Sequence, residues 1–216
     1  MTEKFEIELG LLLRETLEMG LLAREMMTDA TRALVAQDLA LAVSVTARKA
    51  YLRDRLHRVE DHAYLILTLY QPVARDMRTV VSCLKVAAAL ERIGRYGKDI
   101  ATIVGHLAGT APLSNLLSIP HMARTAEAMV ADALAAFEAG DPPMVADFSV
   151  RDDQVDALGY SIFRECVTYM LEDPTTITRC ANYVMVARYL ERSADHACTI
   201  AEATVFMVTG ERVEIK

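Results

Sequence analysis

Two pairs of carboxylates in the second half of this chain have a spacing that could support chemistry. Asp152 and Asp156 form one pair, and Glu191 and Asp195 form the other. Residues four apart on a helix share a face, so each pair presents two carboxylates to the same side. Like charges at this spacing cost an isolated helix about 0.2–0.5 kcal/mol, which a bound cation would offset. Two such pairs on neighbouring helices would form an oxygen-only site suited to Mg²⁺, Mn²⁺ or iron.

A solvated acidic face is the alternative interpretation of the same residues. Arg188 and Arg192 each lie three residues before a carboxylate and could neutralise it. The spacing alone leaves both interpretations open. His196 directly follows Asp195, so it points to a different side of the helix and is not expected to be a ligand.

Motifs for catalysis and for phosphate binding are absent from the sequence. It contains no Gly-rich phosphate loop, no G-x-S-x-G and no H-E-x-x-H. The Glu-x-x-His signature of di-iron helical bundles is absent as well, which argues against a ferritin-like oxidase.

Composition narrows the fold class and the range of partners. Of the 216 residues, 53% are apolar, and there are 9 Gly, 6 Pro and no Trp. A chain poor in turn formers and rich in helix formers is typical of an all-α protein, and this apolar content excludes disorder. The 23 Lys and Arg against 30 Asp and Glu give a net charge of −7. Because phosphate contacts need clustered cations, we expect no nucleic-acid partner.

Cysteine usage and the chain start predict a cytoplasmic protein. The four cysteines lie inside apolar helical patterns without C-x-x-C spacing, as in reduced, buried thiols. The first residues lack the basic and apolar regions of a signal peptide. No uncharged apolar run reaches the roughly 18 residues of a membrane span.

The elements that must position the carboxylates are long helices. Apolar residues at steps of three and four from Phe5 to Ala33 predict a first helix packed along a bundle seam. Small residues along the third predicted helix suggest a close approach to its neighbour. The breakers Gly109–Pro112 and Pro120 divide the chain into halves. We predict six helices, over about 5–33, 38–70, 73–107, 121–139, 143–171 and 175–208.

The two halves repeat each other. At an offset of 100, the second half matches the first at Val86, Ala87, Leu90, Glu91, Arg92, Ile100 and Ala101. At an offset of 96, the preceding helices match at Val59, Tyr64 and Ile66. We therefore predict two tandem antiparallel three-helix bundles related by internal duplication, over residues 1–110 and 111–216.

Three segments in this order together resemble the PhoU family of phosphate-signalling proteins. They are Gln71-Pro-Val-Ala-Arg-Asp-Met-Arg78, then Leu90-Glu-Arg-Ile-Gly94, and Met170-Leu-Glu-Asp-Pro174 leading to Tyr189-Leu-Glu-Arg-Ser-Ala-Asp-His196. No single motif is specific to the family, but their combination and spacing are. The resemblance covers nearly the whole chain.

The resemblance implies a non-enzymatic regulator of phosphate homeostasis. It implies a homodimer that contacts the ATPase subunit of the high-affinity phosphate ABC transporter and a sensor histidine kinase. Such a protein is peripheral to the membrane only through its partners, and it represses phosphate uptake and the phosphate-starvation response. The resemblance also implies a multinuclear metal cluster (Fe, Mn, Zn or Mg) held by Asp152, Asp156, Glu191 and Asp195.

The first half departs from the family pattern. Leu56 and Arg95 stand where the pattern has carboxylates, and Asp99 stands where it usually has Asn. We expect Arg95 to pair with Glu91 or Asp99, which favours an ion-pair site over a metal cluster. The sequence leaves open whether the remaining acids Glu60, Glu91 and Asp99 bind metal.

Three other functions remain open at this stage. PhoU-like bundles also serve as accessory proteins of low-affinity phosphate permeases. An enzyme could use the same carboxylates to activate water on a metal. A metal-free structural helical module would leave the acidic stripes exposed to solvent.

Overall fold

The computed structural model describes residues 3–109 and 118–215, which form seven α-helices and no strand. Two short 3-10 turns, Pro142–Val145 and Pro174–Thr176, precede the last two helices. The helices are α1 (Glu3–Ala36), α2 (Leu39–Ala47), α3 (Lys49–Tyr70), α4 (Ala74–Leu107), α5 (Ser118–Ala139), α6 (Phe148–Glu172) and α7 (Ile177–Thr209). The all-α prediction is confirmed.

The helices form two tandem three-helix bundles, as predicted. In the first, α3 packs against α1 and α4, and in the second, α6 packs against α5 and α7. The third helices, α4 and α7, also pack directly against each other, and α1 contacts α5. The Ser82 hydroxyl of α4 donates a buried hydrogen bond of 3.1 Å to the Ala203 carbonyl of α7. One hydrophobic core therefore runs through both repeats.

The small residues of α4 allow this helix to pack closely against α1. A Cβ added at Gly97 would lie 2.8 Å from the carbonyl oxygen of Met26 and 2.8 Å from the backbone nitrogen of Met27. Backbone atoms cannot move aside as a flexible side chain can, so only glycine fits here. The predicted close approach of α4 to its neighbour is confirmed.

The predicted second helix, over 38–70, is divided at Arg48. The Arg48 N–H donates to the Val45 carbonyl at 3.1 Å, and its guanidinium pairs with Asp29 of α1 at 2.8 Å. The preceding β-branched residues are weak helix formers, which lowers the cost of the break. The apolar residues keep their helical spacing across Arg48, so this spacing alone predicted a single helix.

The remaining sequence predictions concern the boundaries of the helices, the state of the four cysteines and the absence of a membrane span. The predicted helix from about 143 begins as the 3-10 turn Pro142–Val145 and becomes α-helical at Phe148. Of the predicted boundary between the halves, residues 110–117 lie outside the described residues. Pro120, predicted as a breaker, lies in the first turn of α5, where proline is tolerated, so that part of the prediction is wrong. All four cysteines are buried and free, as predicted. Within residues 3–109 and 118–215, no helix is long and apolar enough to cross a bilayer.

Candidate metal centre

The four predicted carboxylates lie where α6 packs against α7. Val155 of α6 is buried in the core, and so are Leu190 and Ala194 of α7. The carboxylates flank these buried positions along each helix and lie at the edge of the core. We call Asp152, Asp156, Glu191 and Asp195 together the acidic centre.

The Glu191 side chain of α7 lies beside Gly159 of α6, next to the acidic centre. A Cβ at this position would lie 3.6 Å from Oε2 of Glu191 and 3.3 Å from Cε of Met122. The Glu191 side chain therefore lies close to the α6 backbone, one turn from Asp156. This contact brings the acidic pair of α7 opposite the pair of α6.

The carboxylates are close enough to perturb one another. Burial, followed by the charges of Asp195 and Asp156, raises the pKa of Asp152 from 3.8 to about 6. Burial and the charge of Asp195 also raise the pKa of Asp156. The pKa of Glu191 is raised, first by burial and then by Asp156 and Asp195, against the lowering effect of Arg188. Carboxylates of α6 and α7 are thus close enough to interact electrostatically, and the metal site itself stays a prediction.

One oxygen of the acidic centre is buried without a partner. Oδ1 of Asp152 finds no hydrogen-bond donor within the described part of the chain. The Cys198 thiol lies within hydrogen-bonding reach of the same carboxyl group. A buried acceptor left unpaired costs about 1–3 kcal/mol, so such an atom points to a bound ion or water. Carboxylate oxygens around this atom fit a hard or borderline cation.

The arginines of α7 compete for the same carboxylates. Arg188 pairs with Glu191, and Nη1 of Arg192 lies 3.6 Å from Oδ2 of Asp195. Within residues 3–109 and 118–215, no three His, Cys, Asp or Glu side chains are placed so that they could hold one metal ion. Metal binding at the acidic centre would require its carboxylates to move closer together, and Glu191 and Asp195 to exchange their arginine partners for the metal.

Two neighbouring residues of α7 serve other contacts. His196 stacks on Tyr96 of α4 with ring centroids 5.9 Å apart, so it points away from the acidic centre as expected. Glu202 accepts a hydrogen bond of 2.9 Å from the backbone N–H of Ile215 in the C-terminal tail. No sequence pattern predicts this last contact, because it joins a helix to an irregular segment.

The equivalent place in the first repeat holds ion pairs. Nη1 of Arg95 lies 3.7 Å from Oε1 of Glu91, and Nζ of Lys98 lies 2.9 Å from Oδ1 of Asp99. Leu56 packs against the hydrophobic core at the position of Asp152. Of the two partners expected for Arg95, the structure shows Glu91. The two repeats therefore share a scaffold and differ in charge at the same place.

Fold and site together define a duplicated helical-bundle protein with one acidic centre between its last two helices. The family model of the PhoU domain matches the chain twice, over residues 16–104 and 119–204. The chain belongs to the PhoU family.

Curated relatives match along nearly the whole chain. A homologue from Rhizobium meliloti is 37% identical over 95% of this chain and 87% of its own length. One from Clostridium acetobutylicum is 30% identical over 100% of this chain and 99% of its own length. Both are named phosphate-specific transport system accessory protein PhoU homolog.

Two solved structures share the fold. The crystal structure of PhoU from Pseudomonas aeruginosa has a TM-score of 0.92 and 32% identity, covering 96% of this chain and all of that one. The phosphate transport system regulatory protein PhoU from Streptococcus pneumoniae has a TM-score of 0.90 and 27% identity, covering 97% of this chain and 99% of that one. The predicted family and fold are both confirmed.

The raised pKa of Asp152 predicts how pH affects stability without metal. The folded state holds this proton more tightly than the unfolded state, so the group stabilises the fold below pH 3.8. That contribution is lost as the pH rises towards about 6. Because the carboxyl is partly screened by solvent, we expect Asp152→Asn to raise the free energy of unfolding by about 1 kcal/mol at neutral pH and by little at acidic pH. Urea denaturation in the presence of a chelator measures both values.

Asp153→Asn is the matched control, because it removes the same charge from the neighbouring exposed side chain. Its effect should stay within about 0.5 kcal/mol. A loss of stability on Asp152→Asn at neutral pH would contradict the assignment of Asp152 as a destabilising buried carboxylate.

Proposed function

We propose that this chain is an accessory protein of phosphate-specific transport that regulates the transporter without catalysing a reaction. The observation that carries the proposal is the PhoU domain matched twice along the chain. Relatives that align over 95% and 100% of the chain are named as accessory proteins of that transport system.

In finer detail, we propose an adaptor in the cytoplasm, acting as a homodimer. It couples the ATPase subunit of a high-affinity phosphate ABC transporter to a sensor histidine kinase. When phosphate is plentiful it restrains uptake and keeps the starvation response repressed. The names of the relatives, an accessory protein and a regulatory protein of phosphate transport, support an adaptor over a metal-dependent hydrolase.

We also propose that the acidic centre holds the metal of this adaptor. Asp152, Asp156, Glu191 and Asp195 would be its ligands, and the orphaned Oδ1 of Asp152 supports this assignment. A bound cation would neutralise the like charges that raise these pKa values and would join α6 to α7. The ion pairs of Arg95 and Lys98 argue against an equivalent metal in the first repeat.

Co-purification and gene deletion test the adaptor role. The tagged full-length chain should retain the ATPase subunit and the sensor kinase from detergent-solubilised membranes. Deleting its gene should raise expression of phosphate-starvation genes in phosphate-rich medium by tenfold or more. A tenfold change corresponds to about 1.4 kcal/mol in the equilibrium between the repressed and the induced state. Retention of a phosphate permease alone, with unchanged reporter expression, would instead support the low-affinity alternative and contradict the proposal.

Metal binding is tested by titrating the metal-free protein with Mn²⁺ and with Fe²⁺ in calorimetry. Asp156→Ala combined with Asp195→Ala should abolish binding, because one ligand is lost from each helix. Glu60→Ala is the matched control in the first repeat and should leave the affinity within about twofold of the unsubstituted protein. Equal losses from both repeats would contradict a single site in the second.

A further inference from the structure

A groove between α6 and α7 opens directly beside the acidic centre. Its volume is about 340 Å³. One end holds Asp156 and Glu191 together with Arg188, which pairs with Glu191. The remaining wall is largely apolar, with Tyr160, Phe163 and Val184. The same two carboxylates therefore belong to both the acidic centre and the groove.

The apolar wall continues along the exposed face of α6. Tyr160 is 65% exposed and Phe163 is 49% exposed, and Val167 and Leu171 follow at steps of four, also exposed. These side chains share one helix face, since they are spaced by three and four residues. A contiguous apolar stripe of this kind, bordered by charge, is typical of a protein interaction surface.

Charge identifies the kind of partner that this surface fits. Around its acidic end, the five carboxylates of Asp152, Asp153, Asp156, Glu191 and Asp195 outnumber the guanidinium groups of Arg188 and Arg192, which pair with Glu191 and Asp195. A second copy of this chain carries the same net charge of −7, and an anionic bilayer is negative as well, so neither complements this end of the groove. A cationic protein segment is the complementary occupant.

We propose that the α6–α7 groove docks a cationic amphipathic helix of a partner protein. The apolar side of that helix would pack against Tyr160 and Phe163, and its Lys or Arg would reach Asp156 and Glu191. The inference rests on the proposed function in two respects, because an adaptor requires a docking surface and because the coupling to metal requires the proposed metal site.

The shared carboxylates link this surface to the metal. A cation at the acidic centre takes up the negative charge that attracts the Lys or Arg of the partner. Metal and partner therefore oppose each other, and the coupling is reciprocal, since each lowers the affinity of the other by the same factor.

Binding of a synthetic peptide tests the proposal. The probe is a fluorescent 15-residue helical peptide of Leu, Ala and Lys, with Leu on one face and Lys beside it. A second peptide carries Glu in place of every Lys. Full-length protein in chelator should bind the Lys peptide, with an affinity that falls as salt is added. Fluorescence anisotropy measures the dissociation constants.

Substitutions in the groove locate the binding. Tyr160→Ala combined with Phe163→Ala should weaken binding of the Lys peptide by about tenfold or more. Tyr64→Ala is the matched control, because Tyr64 is 55% exposed at the equivalent position of the first repeat, and it should change the affinity by less than about twofold. Saturating Mn²⁺ should weaken binding to the unsubstituted protein.

Three results would overturn the inference. They are equal binding of the Lys and Glu peptides, equal losses from the groove and Tyr64 variants, and binding of the Lys peptide that bound Mn²⁺ leaves unchanged. Because the first two are measured in chelator, they do not depend on a metal site. If the peptide fails to bind while the chain still retains the transporter ATPase, the groove is wrong and the adaptor role stands.

Discussion

The packing of α6 against α7 places carboxylates of both helices beside one another, and the proposed metal site and the proposed docking groove both depend on this packing. The Glu191 side chain of α7 lies beside Gly159 of α6. Burial and mutual repulsion then raise the pKa of Asp152 to about 6. Arg188 and Arg192 offset part of this repulsion from their own helix, but Oδ1 of Asp152 stays unpaired within the described chain. The fold thus keeps a concentration of negative charge at one place.

The first repeat shows the same scaffold with that charge removed. Leu56 packs into the core where the second repeat has Asp152, and Arg95 pairs with Glu91. Because α4 and α7 pack directly against each other, the two repeats stabilise one shared core. One repeat can therefore lose its acidic site without loss of the fold. We infer that duplication separated the structural role from the binding role.

The sequence predicted features that depend on local spacing and missed those that depend on distant contacts. Periodicity identified the helices and the four facing carboxylates, because both follow from the 3.6-residue turn. The break at Arg48 was missed, since its partner Asp29 lies on another helix. The contact of Glu202 with the C-terminal tail and the Cys198 thiol beside Asp152 were missed for the same reason. The groove beside Phe163 was not predicted, because it exists only where α6 and α7 pack against each other.

Anomalous scattering from crystals soaked in Mn²⁺ tests the central claim most directly, because it locates each metal ion. We predict density between α6 and α7, within about 2.3 Å of oxygens of Asp152, Asp156, Glu191 or Asp195. We predict none between α3 and α4, where Arg95 should still pair with Glu91. A metal bound at Glu60, Glu91 or Asp99, or an acidic centre in which Arg188 and Arg192 remain the only cations, would contradict the account.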